Sequence, residues 1–105
     1  MKRLILLSAA LLLAALAAPN GWAKDGKDVY TDKCAGCHGP DGTGSTARGK
    51  KLKVKPVKEI AGKLKAEAMV KIVEEGKGLD MPAYAKELSK EQIQAVVEHY
   101  RGLAK

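Results

Sequence analysis

The sequence contains no phenylalanine, one tryptophan (Trp22) and three tyrosines in 105 residues. So little aromatic surface cannot build a large core, and it offers few faces on which nucleic-acid bases could stack. Cysteine is scarce as well. Cys34 and Cys37 are the only two, which excludes the multi-bridge framework of disulfide-rich secreted domains. No apolar run reaches the ~20 residues of a membrane-spanning helix. The length allows one domain at most, so a multidomain enzyme and a polytopic membrane protein are both excluded.

What apolar character there is lies mainly at the N-terminus. From Leu4 to Ala18 every residue but Ser8 is apolar, with Lys2 and Arg3 before the run and Pro19, Asn20 and Gly21 after it. A basic start, a short apolar stretch and a small-residue cleavage site describe a secretory signal peptide. Ala23 fits the residue before the cut, with Gly21 two positions earlier. Cuts after Ala17 or Ala18, or an uncleaved anchor, are the alternatives. No cysteine lies near the cut, so a lipid-anchored lipoprotein is disfavoured. The chain therefore divides into a cleaved leader over 1–23 and a single domain over 24–105. The expected compartment is the periplasm of a bacterium, with no membrane insertion after cleavage. Losing Lys2 and Arg3 leaves 17 basic residues against 12 acidic ones, a net +5. A chain this small usually needs a disulfide, metal or cofactor to hold it together.

The two cysteines supply a candidate. They stand in Cys34-Ala35-Gly36-Cys37-His38. A disulfide would close a very short loop and add little to the stability of a whole domain. The adjoining histidine changes the reading, because C-x-x-C-H is the attachment pattern of a c-type haem. On a helix, positions i, i+3 and i+4 share one face. Two thiols can then join the haem vinyl groups while the imidazole of His38 addresses the iron. A thioredoxin-like site would want a βαβ context, and none is suggested. A structural zinc site would need four ligands, with His99 brought in from far along the chain.

A second axial ligand could come from Met69, Met81, His99 or a lysine. Met69 lies among Val70, Ile72 and Val73 on an apolar helical stripe and reads as core. Met81 lies in Gly76-Lys77-Gly78-Leu79-Asp80-Met81-Pro82, where glycines and proline mark a loop and Pro82 keeps Met81 out of helical geometry. A methionine held in such a loop is the favoured ligand. His99 falls off the stripe formed by Ile93, Val96, Val97, Tyr100 and Leu103, and reads as a solvent-facing or rim residue.

The Cys34–His38 motif, a glycine-rich loop, then Met81-Pro82 ahead of a C-terminal helix together resemble small class I c-type cytochromes, over nearly all of 24–105. Gly26 and Tyr30, eight and four residues before Cys34, with Val97 and Tyr100 near the end, match that family's crossing of first and last helices. The resemblance implies an all-α class I cytochrome c fold, with about three main helices wrapped around one covalently bound haem. It implies Cys34 and Cys37 as the haem thioethers and His38 and Met81 as the axial iron ligands. The family often orients the proximal histidine with a carbonyl from a proline segment, where this chain has Ala47-Arg48-Gly49-Lys50-Lys51-Leu52 and Pro56 only later. Without a tryptophan in 24–105, contact with the haem propionates falls to Arg48 or a nearby lysine.

The predicted helices follow from caps. Asp25 starts a first helix through Val29 and Tyr30 toward Cys37. The glycines Gly36, Gly39, Gly42, Gly44 and Gly49, with Pro40, read as a loop, and Val57 to Ala61 as a helical turn. Lys65 to Glu75 reads as a second helix stopped by Gly76. Ser89 and Gln92 form a capping box, with Leu88 and Ile93 as its hydrophobic staple, for a third helix ended by Gly102. No strands are predicted. Arg48, Lys50, Lys51, Lys53, Lys55 and Lys58 make a basic stretch, read either as a solvated face or as docking for acidic-surfaced redox proteins, both donor and acceptor. The expected function is a soluble, monomeric one-electron carrier. It is not an enzyme, since two axial ligands leave the iron no open site. The alternative is a relay subunit permanently bound to a dehydrogenase or reductase.

Overall fold

The computed structural model describes residues 25–105, so the leader expected over 1–23 lies outside the described residues. The elements are α1 (Gly26–Val29), a π-helical segment (Tyr30–Cys34), α2 (Ala35–His38), α3 (Ala47–Lys51), α4 (Val57–Lys63), α5 (Ala66–Glu75) and α6 (Lys90–Gly102). Among the described residues there is no strand, only an isolated bridge between Lys77 and Met81. None of these helices is long and apolar enough to cross a membrane.

The caps act as the sequence suggests. Asp25 accepts a hydrogen bond from the Asp28 amide at 2.8 Å, satisfying a free donor at the start of α1. Ser89 and Gln92 close a reciprocal capping box on α6, at 3.1 and 2.9 Å. Leu88 and Ile93, on either side of that cap, are both buried in the main core cluster. Gly76 ends α5 with φ +81°, a conformation that side chains resist.

Two elements differ from expectation. The first helix is not uniformly α-helical, because its ladder widens to a π-helical turn over Tyr30–Cys34 before returning to α-geometry. Residues 47–51 form a helix where the glycines suggested continuous loop. Thr46 caps α3 by accepting from the Gly49 amide at 2.9 Å. Gly49 is there for close approach, since a Cβ on it would collide with the Cys37 carbonyl.

The core forms where the first and last helices cross. Gly26 is buried against α6, and a Cβ there would strike the Ala95 carbonyl, so only glycine lets the two backbones meet. Val29, Tyr30, Leu88, Ile93 and Val96 form the cluster beside this contact. Tyr30 lies 5.2 Å from the His99 ring and 6.0 Å from the Tyr100 ring. The Tyr30 hydroxyl donates to the Gly39 carbonyl at 2.5 Å, tying the loop after α2 to the crossing. Only eight apolar residues are buried among those described, which is thin support for a domain of this size. The missing interior is a cavity.

Candidate haem site

A cavity of about 440 Å³ opens between the first helix, the 52–55 segment, α5, the Met81 loop and α6. That volume is within the ~300–1,000 Å³ usual for cofactor and ligand sites. Its walls are mostly aliphatic, from residues such as Leu52, Ile60, Leu64, Ile72 and Val97. Cys34, Cys37, His38 and Met81, nominated from sequence alone, all line it.

The attachment helix is fixed from behind. The carbonyls at the end of α2 lack intrahelical partners. The Thr46 hydroxyl donates to the Gly36 carbonyl at 2.8 Å, and the Gly44 amide donates to the His38 carbonyl at 2.7 Å. The 39–46 loop is thus a clamp on the segment bearing the motif. Thr46 was legible in principle, as an N-cap residue three positions before the glycine amide it receives.

His38 packs edge-on against Tyr100, with ring centroids 5.2 Å apart and planes at 70°. Its Nδ1 is buried without a hydrogen-bond partner. Burial lowers the imidazole pKa, favouring the neutral ring that binds a metal. Among the described residues, no carbonyl from the 47–52 segment or elsewhere hydrogen-bonds Nδ1. Cys34 and Cys37 are separate thiols, and burial pushes the Cys34 pKa up to about 11. A redox-active C-x-x-C motif lowers the pKa of its attacking cysteine, so this environment fits a thiol held for covalent attachment better than thiol exchange.

The Met81 loop is fastened to α5. The Lys77 amide donates to the Met81 carbonyl at 2.9 Å, and the Tyr84 amide to the Val73 carbonyl at 2.9 Å. Lys33 pairs with Glu87 at 3.2 Å, and the Tyr84 hydroxyl donates to the Lys33 carbonyl at 3.5 Å, linking the same segment to the first helix. These long-range partners carry no sequence signal of their own.

The competing ligands are placed differently. Met69 is buried on α5 as expected of a core residue, yet it also lines the cavity. Arg101 Nη1 lies 3.9 Å from its sulfur and donates to the Leu64 carbonyl at 3.0 Å. His99 is partly buried against Tyr30 and does not line the cavity. Among the described residues, no three His, Cys, Asp or Glu side chains are grouped to hold a metal ion. A zinc site is therefore not assembled. A flat apolar group bringing its own iron suits the cavity, which offers two thiols, a neutral imidazole and a thioether around aliphatic walls.

Known proteins point to the same kind of cofactor. Residues 22–99 match the family model described as cytochrome C oxidase, cbb3-type, subunit III. The chloroplastic cytochrome c6 of Chlamydomonas reinhardtii is 40% identical over 75 residues, 70% of this chain and 49% of that protein. This chain thus spans about half the length of that relative. The cytochrome c6 of Cladophora glomerata is 41% identical over 73 residues, 69% of this chain and 78% of that protein. The solved KustC0563 c-type cytochrome superimposes with a TM-score of 0.71 at 30% identity, covering 78% of this chain and all of that one. The chain belongs to the class I c-type cytochromes, haem proteins that carry electrons, and its cofactor is a covalently bound haem c.

Proposed function

We propose that this protein is an exported, freely diffusing one-electron carrier. Its haem is attached through Cys34 and Cys37 and ligated by His38 and Met81. The convergence of those four residues on one cavity carries the reading. The bound haem supplies a single-electron iron couple, and thioether ligation favours its reduced state. The protein supplies rigidity. The 39–46 clamp holds the His38 backbone, Tyr100 limits tilting of the ring, and the bonds at Val73 and Lys77 hold the Met81 loop. Ligands held this way need little rearrangement when the charge on the metal changes. The aliphatic walls exclude water, and neutral His38 and Met81 add no charge of their own. If His38 and Met81 both hold the iron of the bound haem, the protein would leave no position there for substrate chemistry.

Arg48, Lys50, Lys51, Lys53, Lys55 and Lys58 are all exposed, which supports docking to acidic redox partners. Attraction of this kind speeds encounter and weakens with salt. Electron transfer to the natural partner is expected to slow several-fold or more as ionic strength rises from about 10 to 200 mM, when the screening length falls from ~30 Å to below 10 Å. A rate independent of salt in stopped-flow measurements would assign the basic stretch to solubility alone. The cytochrome c6 relatives support the carrier reading, and the basic start and short apolar run at the N-terminus support export, with a bacterial periplasm as the compartment. The family model, named for an oxidase subunit, supports the second reading of a permanently bound relay. Gel filtration of native extract separates them. A carrier elutes near its own mass, and a relay elutes with a larger assembly.

A further inference from the structure

We propose that Lys53 is the counter-ion of the haem propionates, held at the cavity by a backbone conformation that lysine rarely adopts. This assignment rests on the haem-binding reading above. Four lysines line the cavity, Lys33, Lys53, Lys55 and Lys77, against one acid, Asp80. The haem carries two carboxylates, so a mostly apolar cavity ringed by cations matches its charge. Two of the four already have partners, Lys33 with Glu87 at 3.2 Å and Lys55 with Glu59 at 3.7 Å. Lys53 and Lys77 have no ion pair among the described residues. Arg48, the other cation considered from sequence, does not line the cavity.

The backbone distinguishes Lys53 from Lys77. Lys53 is the only non-glycine residue among those described with positive φ, at 59°. It follows α3, where the Lys53 amide donates to the Lys50 carbonyl at 3.2 Å and the Val54 amide to the Gly49 carbonyl at 2.9 Å. A left-handed residue closing a helix is usually glycine. Lysine there is strained, and residues held in such conformations cluster at ligand sites. Leu52 and Val54, its immediate neighbours, both line the cavity. Lys77 has a separate backbone task, bridging to Met81.

The test uses the holo-protein as wild type, Lys53→Gln, Lys53→Arg, Lys53→Gly and Lys77→Gln, titrated spectroelectrochemically at fixed pH and ionic strength. Redox-difference infrared spectra in the carboxylate region give a second readout. Removing a cation from the propionates favours the ferric state. Lys53→Gln and Lys53→Gly are expected to raise the ferric-to-ferrous ratio at a fixed ambient potential by about three- to ten-fold and to shift the carboxylate bands. Lys53→Arg is expected to stay within about two-fold of wild type by retaining the charge. Lys53→Gly relieves the backbone, so its melting temperature should hold or rise while its redox ratio shifts, which separates charge from folding. An unchanged ratio in Lys53→Gln would overturn the assignment. So would an equal shift in Lys77→Gln with the carboxylate bands of Lys53→Gln unmoved. A wild-type protein lacking a low-spin c-type spectrum would instead contradict the haem-ligation reading, and the assignment would fall with it.

Discussion

Produced without haem, a Cys34→Ala/Cys37→Ala variant is expected to be largely unfolded, with most of the helical circular dichroism lost and no cooperative melt. Among the described residues, eight buried apolar side chains are the interior available without the cofactor. A domain of about 80 residues is stable by only ~4–12 kcal/mol. Without the cofactor, the aliphatic walls of the open cavity of about 440 Å³ would face water instead of an apolar partner, losing burial that contributes ~1.5–3 kcal/mol per large apolar side chain. A few such side chains rival the whole stability of the fold, so the walls would collapse or the helices part. Covalent haem fills that space and links the first helix to α5 and α6, which face the same cavity. Native-like helicity and a sharp thermal transition in the haem-free variant would show that the polypeptide stabilises itself, against this account.

Gly76→Val is expected to displace the Met81 loop while leaving the haem attached. A Cβ at position 76 would lie 2.8 Å from the Met81 carbonyl oxygen, 2.9 Å from the Ala83 nitrogen and 3.0 Å from the Pro82 carbonyl carbon. All three are backbone atoms and cannot turn aside as a flexible side chain would. The residue also has φ +81°, which costs a β-branched side chain about 1–3 kcal/mol by itself. Clash and strain together are expected to lower stability by roughly 2–4 kcal/mol. The far-red sulfur-to-iron band should weaken or vanish while the haem stays bound through the cysteines. Gly78→Val is the comparison. Gly78 has φ +63° but open space around its Cβ position, so it carries the strain without the clash. If the two variants kept the same far-red band and stability, the tight contact at Gly76 would not be what positions Met81.

The parts of this fold legible in the sequence are those specified by short-range chemistry. Asp25, Ser89 with Gln92, and Gly76 each mark a helix end through a bond or conformation completed within a few residues, and each appears where expected. The attachment motif is equally local. Glycine was harder to read, because one residue type serves two purposes. Gly39, Gly42 and Gly44 do turn the chain with positive φ. Gly49 instead lies inside α3 to admit the Cys37 carbonyl, a reason that exists only once the two segments meet. The π-helical turn at Tyr30–Cys34 likewise has no composition signal. Lys33 with Glu87 and Arg101 with Leu64 join residues far apart in sequence, and no periodicity announces them. Met69 shows the limit most clearly. Its helical stripe identified it as core, and it is buried, but the same side of α5 also walls the haem cavity.

That second methionine makes one comparison decisive. Visible spectra of the holo-protein, oxidised and reduced, should be recorded for wild type, Met81→Ala and Met69→Ala, made alongside a cytochrome c maturation system. The predicted wild-type spectrum is low-spin c-type with the weak far-red sulfur-to-iron band. Met81→Ala should abolish that band with the haem still covalently attached, and Met69→Ala should retain it despite lost stability. A band that survives Met81→Ala and disappears in Met69→Ala would move the ligand to α5 and contradict the site described here.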